Sequence, residues 1–226
     1  SEHLEFHGTY EQYRDDKANL FENLNLFGVV NGDDKASSLF ASKTEKPVYS
    51  FIKDKTSAKD IFAENYFMTD IKSDAKGEDF SLEVINQCDI KKLEDFRIDL
   101  PGTFNVYNST AAAIVVSKLL NITLEELKPA LKALTPVKGR MTVVDEGQDF
   151  EVIVDYAHTP SSFETIFPPL QKRLAETTKG KLFVLFGSGG ERDTKKRPEQ
   201  GRIAEKYCDY VILTDEDPRD ENPMDT

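Results

Sequence analysis

Short apolar runs separated by polar turns dominate the first half of the chain. Residues 27–31 are mainly apolar and lead into Gly-Asp-Asp, a pattern typical of a strand that ends in a turn. Further strands are predicted where aliphatic and aromatic residues are concentrated, at residues 48–52, 66–71, 80–85 and 96–100. This half of the chain is therefore expected to be rich in β-structure.

Helical patterns follow these strands. Residues 108–120 are rich in Ala and Leu, and Thr123 with Glu126 has the spacing of a capping box that opens a helix over residues 124–134. Pro129 lies inside that helix and predicts a kink or a split. After Pro136 the pattern alternates as strand, helix, strand, helix and strand, at residues 150–154, 163–174, 182–186, 201–207 and 210–213.

This alternation predicts right-handed crossovers and a parallel sheet. We therefore expect an α/β fold in two domains, residues 1–136 and residues 137–226. Three polar segments directly follow the predicted strands of the second domain, at residues 155–160, 187–193 and 214–219. Because ligands of open parallel sheets bind beyond the carboxyl ends of the strands, these segments predict a functional site around one crevice.

Composition and charge narrow the class of protein. The chain has 226 residues, of which 38% are hydrophobic and 31% charged, as expected for a globular protein. No apolar run approaches the roughly 18 residues of a membrane span and no signal-peptide pattern is present, so we predict a cytoplasmic protein without a membrane partner. The net charge of −12 argues against nucleic-acid binding, and nothing indicates an obligate protein partner. Cys88 and Cys208 lie far apart in sequence without metal-ligand spacing, so we expect both to be reduced thiols. The short basic clusters at residues 91–92 and 195–197 are expected to lie on hydrated surfaces.

The three polar segments resemble the Mur ligase family, and within it the UDP-N-acetylmuramoyl-tripeptide synthetases. They read Asp-Tyr-Ala-His-Thr-Pro, Gly-Ser-Gly-Gly-Glu-Arg-Asp followed by Lys-Arg-Pro, and Thr-Asp-Glu-Asp-Pro-Arg. Upstream motifs continue the resemblance in the family's order, with Ser-Glu-His-Leu-Glu opening a segment over residues 1–17, Leu-Pro-Gly-Thr-Phe-Asn-Val-Tyr-Asn at 100–108 and Lys-Gly-Arg-Met at 138–141. The resemblance implies a partial central ATP-binding domain followed by a truncated Rossmann-like domain.

In this family, the precursor's carboxylate attacks the γ-phosphate of ATP, and the amine of an amino acid captures the acyl phosphate. The resemblance thus implies an ATP- and Mg²⁺-dependent amide ligase that adds a diamino acid to UDP-N-acetylmuramoyl-L-alanyl-D-glutamate in peptidoglycan synthesis. The family also has a Gly-rich loop ending in Gly-Lys-Thr or Gly-Lys-Ser, which this sequence lacks. We therefore expect the chain to begin after that loop, to end before its last domain is complete and to be inactive alone.

The family's magnesium positions match His3 and Lys17. Lys17, in a predicted helix over residues 10–21, matches a lysine that is carbamylated and so becomes an oxygen ligand, and it is a predicted catalytic residue. Glu2 and Glu5 stand where the family usually has Asp, so the carboxylates are retained with a longer reach.

The nucleotide positions also follow from the resemblance. Asn105 and Asn108 match residues near adenine, although helix capping is the alternative interpretation for both. Arg140 matches an arginine that contacts the phosphates, Asp155 a carboxylate that binds the ribose hydroxyls, and His158 a catalytic residue near the γ-phosphate.

Arg192 and Arg219 resemble the arginines that bind the carboxylates of meso-diaminopimelate. Where the family reads Asp-Asn-Pro-Arg, this chain reads Glu-Asp-Pro-Arg at residues 216–219, so Asp217 replaces an amide by a negative charge. Lysine-adding members generally lack the final Arg, which favours diaminopimelate over L-lysine. The alternatives are a folylpolyglutamate or cyanophycin synthetase, or a non-catalytic binding module derived from the ligase fold.

Overall fold

The computed structural model describes residues 8–74, 76–86, 89–177, 180–191 and 194–222. The chain divides into two compact units, Thr9–Val137 and a unit that contains Lys138–Thr226. Each unit has a hydrophobic core of its own. Among the residues in these ranges, no helix has the length and hydrophobicity that a membrane crossing requires.

The first unit alternates short helices and strands before it ends in helices. Its described elements are α1 (Tyr10–Glu22), β1 (Gly28–Asn31), α2 (Ser37–Ser42), β2 (Val48–Ile52), a 3-10 turn (Lys55–Ser57), β3 (Glu64–Ser73), β4 (Glu78–Ile85), β5 (Ile90–Ile98), α3 (Thr103–Leu120) and α4 (Lys128–Lys132). The strands form one sheet in the order β1-β2-β3-β4-β5. β2 pairs parallel with β1 and β3, whereas β4 pairs antiparallel with β3 and β5.

Alternating side chains of β1 and β2 belong to two different clusters. Val30 and Val48 pack with Phe21 of α1, whereas Val29 and Tyr49 pack against the larger cluster, which includes residues of α3 and α4. Because neighbouring residues of a strand point to opposite faces of the sheet, both faces of β1 and β2 are covered. Burial on both faces explains why these strands read as nearly continuous apolar runs.

The capping box after α3 is present, but the helix that it precedes is shorter than expected. The N–H of Thr123 donates to Glu126 Oε2 at 2.7 Å, and the N–H of Glu126 donates to Thr123 Oγ1 at 3.3 Å. α4 begins only at Lys128, so Pro129 lies in its first turn. The missing N–H of proline costs nothing there, so Pro129 does not kink α4. The helix predicted over residues 124–134 is instead divided into turns at residues 124–127 and the short α4.

The second unit has the described elements β6 (Thr142–Val144), β7 (Val152–Val154), α5 (Pro160–Thr177), β8 (Phe183–Phe186), α6 (Lys196–Tyr207) and β9 (Tyr210–Leu213). β8 and β9 pair in parallel, and the predicted α/β fold is confirmed. β7 instead pairs antiparallel with β6, because the turn around Gly147, which has a φ of 86°, reverses the chain between the two strands. β6 was not predicted from the sequence. Phe163, Phe167 and Ile203 join α5 and α6 in the core, against Phe186.

Candidate functional site

The segment that follows β7 is organised by the carboxylate of Asp155. Its Oδ2 accepts the N–H of Met141 at 2.8 Å, and its Oδ1 accepts the N–H of Ala157 at 2.7 Å. Gly139 and Met141 have φ values of 76° and 48°, so left-handed backbone flanks Arg140 on both sides. One half-buried carboxylate therefore fixes its own loop and the loop that carries Arg140.

Three side chains near Asp155 lie in a row, in the order Arg140, Tyr156 and His158. The guanidinium carbon of Arg140 lies 5.0 Å from the centre of the Tyr156 ring, whose centre lies 5.1 Å from that of the His158 ring. His158 Nδ1 lies 3.0 Å from the Tyr156 carbonyl oxygen. Since a carbonyl can only accept, Nδ1 carries a proton and Nε2 is the nitrogen available for other chemistry.

Thr159 and Lys196 anchor the remainder of this segment. The buried Thr159 accepts the N–H of Ser162 at 3.2 Å on its Oγ1 and so caps α5, whose first residue is Pro160. Lys196 Nζ donates to the carbonyl of His158 at 3.0 Å. The start of α6 is thereby linked to the segment after β7.

The segments that follow β8 and β9 contact each other directly. The N–H of Gly190 donates to the Asp217 carbonyl at 2.8 Å. A Cβ atom at Gly190 would lie 2.0 Å from the Pro218 carbonyl oxygen, and one at Gly187 would lie 2.4 Å from that of Thr214. Glycine is therefore required at both positions, because a side chain would separate the two segments.

Arg219 lies in the third segment beside Asp217, whose negative charge replaces the amide of the family pattern. Its Nε lies 3.6 Å from Asp217 Oδ2, and its side chain is 35% exposed. An exposed pair at this distance is weak, so the guanidinium retains capacity for another carboxylate. Arg192, its predicted partner in acceptor binding, lies outside the described residues.

The basic cluster at residues 195–197 is only partly hydrated. Lys195 is exposed, but Lys196 is half-buried, and the Arg197 side chain is 15% exposed and pairs with Glu221. The predicted hydrated surface is therefore wrong for two of the three residues. The local charge pattern could not reveal this, because the partners, the carbonyl of His158 and the carboxylate of Glu221, lie far away along the chain.

The start of α3 depends on a buried carboxylate. Glu78, 1% exposed, accepts the N–H of Gly102 at 2.7 Å on Oε1 and the hydroxyl of Ser73 at 2.6 Å on Oε2. Gly102 has a φ of 102°, which directs the chain into α3 at Thr103, earlier than the predicted start at residue 108. Glu78 was not identified from the sequence, since an isolated Glu in a strand resembles a surface residue.

Asn105 and Asn108 lie in the first two turns of α3. Asn105 Nδ2 donates to the Pro101 carbonyl at 2.8 Å, a local role close to the capping interpretation, whereas Asn108 is exposed. Between them, the Tyr107 hydroxyl donates to Asp33 Oδ2 at 3.1 Å, and Asp33 also accepts the N–H that follows β2 at 2.8 Å. Burial and the Asp33 charge raise the pKa of Tyr107 to about 12, which keeps the phenol a donor.

Of the two predicted magnesium residues, only Lys17 lies in the described part of the chain. Lys17 lies on α1 with an exposed side chain, and its Nζ lies 5.7 Å from the centre of the Tyr13 ring. His3 falls outside the described residues. In the part of the chain that the structure describes, no cluster of three or more His, Cys, Asp or Glu residues could hold a metal ion. The metal site remains a prediction.

Two family models match the chain over most of its length. The Mur ligase middle domain matches residues 1–116, and the model described as Mur ligase, glutamate ligase domain matches residues 139–226. The chain belongs to the Mur ligase family. The family resemblance that was drawn from the sequence motifs is therefore confirmed.

Similar proteins carry two kinds of name. A UDP-N-acetylmuramyl-tripeptide synthetase of Treponema denticola is 47% identical over 99% of this chain and 43% of its own length. A UDP-N-acetylmuramoyl-L-alanyl-D-glutamate–2,6-diaminopimelate ligase of Caldanaerobacter subterraneus subsp. tengcongensis is 38% identical over 99% of this chain and 43% of its own. A solved structure of such a diaminopimelate ligase superposes with a TM-score of 0.55 at 29% identity, covering 97% of this chain and 43% of that one. The chain thus spans less than half the length of these relatives.

The second unit of this Mur ligase chain has donors and acceptors that suit a nucleotide. A carboxylate has roughly four acceptor positions, and two on Asp155 are taken by the backbone N–H groups of Met141 and Ala157. The others can accept ribose hydroxyls. Arg140 is exposed, and a guanidinium matches phosphate oxygens in charge and geometry.

If Asp155 binds the ribose of ATP, its replacement by Ala in the full-length protein should weaken ATP binding more than amino-acid binding. A hydrogen bond to a charged acceptor contributes roughly 1.5 to 3 kcal/mol, so the KM for ATP should rise about tenfold or more. Loss of the Met141 contact would also release the loop of Arg140. Asp145→Ala is a matched control, because Asp145 is exposed and accepts only a turn N–H in the described contacts. An unchanged KM for ATP would contradict the assignment.

Proposed function

We propose that this chain is part of an ATP-dependent amide ligase that adds a diamino acid to UDP-N-acetylmuramoyl-L-alanyl-D-glutamate in peptidoglycan synthesis. The observation that carries the proposal is the direct contact of the second and third strand-end segments, together with the link from the first segment to the start of α6, within one member of the Mur ligase family. Lys196 joins the first segment to the start of α6, and Gly190 joins the second segment to the third. These are the segments for which the family resemblance predicts nucleotide and acceptor binding.

The proposed reaction needs positioning and charge neutralisation more than covalent help from the protein. Asp155 would bind the ribose and fix the Arg140 loop, and Arg140 would neutralise phosphate charge. His158, with Nδ1 protonated towards the Tyr156 carbonyl, would present Nε2 near the γ-phosphate. Asn105 and Asn108 would contact adenine. Mg²⁺, held by His3 and a carbamylated Lys17, would supply further charge neutralisation.

For the acceptor, we propose meso-diaminopimelate ahead of L-lysine. Arg219 is cationic and partly exposed, and its contact with Asp217 is long. A second acceptor carboxylate could therefore approach the guanidinium, with Arg192 as its further partner. Diaminopimelate has that second carboxylate and lysine does not. The name of the Caldanaerobacter relative supports the same choice, whereas that of the Treponema relative leaves the amino acid open.

The direct test is an assay of the full-length protein with ATP, Mg²⁺ and UDP-N-acetylmuramoyl-L-alanyl-D-glutamate against a panel of amino acids. Phosphate release and the mass of the product should identify meso-diaminopimelate as the preferred acceptor. Preference for L-lysine would reject the acceptor assignment alone. Release with a folate or cyanophycin acceptor instead would favour a related synthetase, and failure to bind or hydrolyse ATP would favour a binding module.

A further inference from the structure

The first turn of α6 and the loop after β9 are joined by a pair of charged side chains that the proposed chemistry does not use. Arg197 NH1 donates to Glu221 Oε2 at 2.8 Å, and Arg197 NH2 lies 3.2 Å from Glu221 Oε1. Both side chains are largely buried, at 15% and 25% exposure. Two parallel contacts of this kind define the relative orientation of the groups as well as their distance.

The same carboxylate also holds the backbone of the second segment. Glu221 Oε1 accepts the N–H of Glu191 at 2.5 Å, and Arg197 NH2 donates to the Gly189 carbonyl at 3.3 Å. Each side chain of the pair thus contacts the backbone between residues 189 and 191. Glu191 directly precedes Arg192, and Glu221 follows Arg219 by two positions.

Neither member of the pair is well placed to bind a ligand itself. Both oxygens of Glu221 already accept hydrogen bonds, and the Arg197 guanidinium lowers the pKa of Glu221, so the carboxylate stays charged. The Nε of Arg197 is buried without a hydrogen-bond partner among the described residues, so removal of Glu221 would leave this cation poorly compensated. Any effect of the pair on substrate must therefore pass through the loops.

We propose that Arg197 and Glu221 form a positioning clasp, which holds the second and third segments in the register that binds the side-chain carboxylate of the acceptor. This inference rests on the proposed function, because it assumes that these segments bind a diamino acid. The close approach of Gly190 to Pro218 provides the second restraint on the same register. The clasp makes Glu221 a determinant of acceptor affinity without contact to the acceptor.

The test compares Glu221→Ala and Glu221→Gln in the full-length ligase. For Glu221→Ala, the KM for meso-diaminopimelate should rise about tenfold or more, as expected when a buried charge pair is broken, while the KM for ATP stays within about twofold. Glu221→Gln keeps an oxygen for the Glu191 N–H but loses the charge, so its KM should rise by an intermediate factor. If the Glu221→Ala variant fails to fold, the KM of the Glu221→Gln variant for meso-diaminopimelate tests the clasp instead.

The matched control is the Arg202–Glu199 pair on the same helix. These two side chains are 73% and 52% exposed and lie 3.5 Å apart, so Glu199→Ala should leave both constants unchanged. If the Glu221 variants melt earlier but keep the wild-type KM for the amino acid, the pair is only structural and the clasp is rejected. The activity of the wild-type enzyme distinguishes the two proposals. If the wild type is inactive, both the proposed function and this inference are rejected, whereas an active wild type with unchanged KM values in the Glu221 variants rejects the clasp alone.

Discussion

Replacement of Lys17 by Ala in the full-length ligase is expected to lower turnover by orders of magnitude. The reason is its match to a lysine whose carbamate serves as an oxygen ligand of Mg²⁺, a cation that an unmodified ammonium group would repel. The exposed position of Lys17 on α1 leaves its amine open to this modification. Phosphate release with saturating ATP and acceptor measures the effect.

Short carboxylic acids added to the Lys17→Ala enzyme should restore part of the activity, since they can supply the missing carboxylate to the metal. Lys132→Ala is the control, because Lys132 is an exposed lysine of α4 in the same unit. It should retain wild-type turnover with and without added acid. Wild-type activity of the Lys17 variant would reject the metal assignment, and loss of activity without rescue would indicate a role other than ligand supply.

Replacement of Arg219 by Ala should raise the KM for meso-diaminopimelate by roughly 30-fold or more. The bound amino acid would cover the partly exposed guanidinium, and truncating one partner of a covered charge pair costs about 2 to 5 kcal/mol. The KM values for ATP and the UDP-sugar should stay nearly constant, because neither ligand has a proposed contact with Arg219. L-Lysine lacks the second carboxylate, so any use of lysine should be much less sensitive. Steady-state kinetics with both amino acids separates these cases.

Asp217→Asn is the informative companion to Arg219→Ala. It removes the carboxylate that lies 3.6 Å from Arg219 Nε and restores the amide that the family pattern has at this position. Diaminopimelate should then bind at least as tightly as in the wild type. Small and equal effects of Arg219→Ala on both amino acids would reject the carboxylate contact and favour a different acceptor.

The residues of the candidate site differ in how far local sequence could reveal them. Asp155, Arg140 and His158 were identified because they stand in short motifs next to strands. Glu78 and Glu221 were missed, because their partners Gly102 and Arg197 lie 24 residues away along the chain. A carboxylate that binds a distant loop has no local pattern that distinguishes it from a surface residue.

Secondary structure elements likewise differed in how far the local sequence could reveal them. β1 and β2 were predicted from apolar runs, since burial on both faces removes polar positions from a strand. The strand predicted at residues 96–100 covers only the end of β5, because most of the earlier residues of β5 are charged and exposed. β6 and its antiparallel pairing with β7 were not predicted, because a strand of three residues contains too little periodic pattern to be recognised. Pro129 was misplaced because the same residue breaks a helix interior and favours a helix start.

By itself, the sequence determined the α/β class, the motif order that identifies the Mur ligase family and the residue types available at the three strand ends. These properties are local, since they depend on hydrophobic pattern and on residues adjacent in the chain. Only the tertiary structure decided which of those residues meet. It showed that Asp155 fixes the Arg140 loop, that Glu78 fixes the start of α3, and that Arg197 is paired rather than hydrated. The physical reason is that a buried polar group requires a partner, and the fold selects that partner from any distance along the chain.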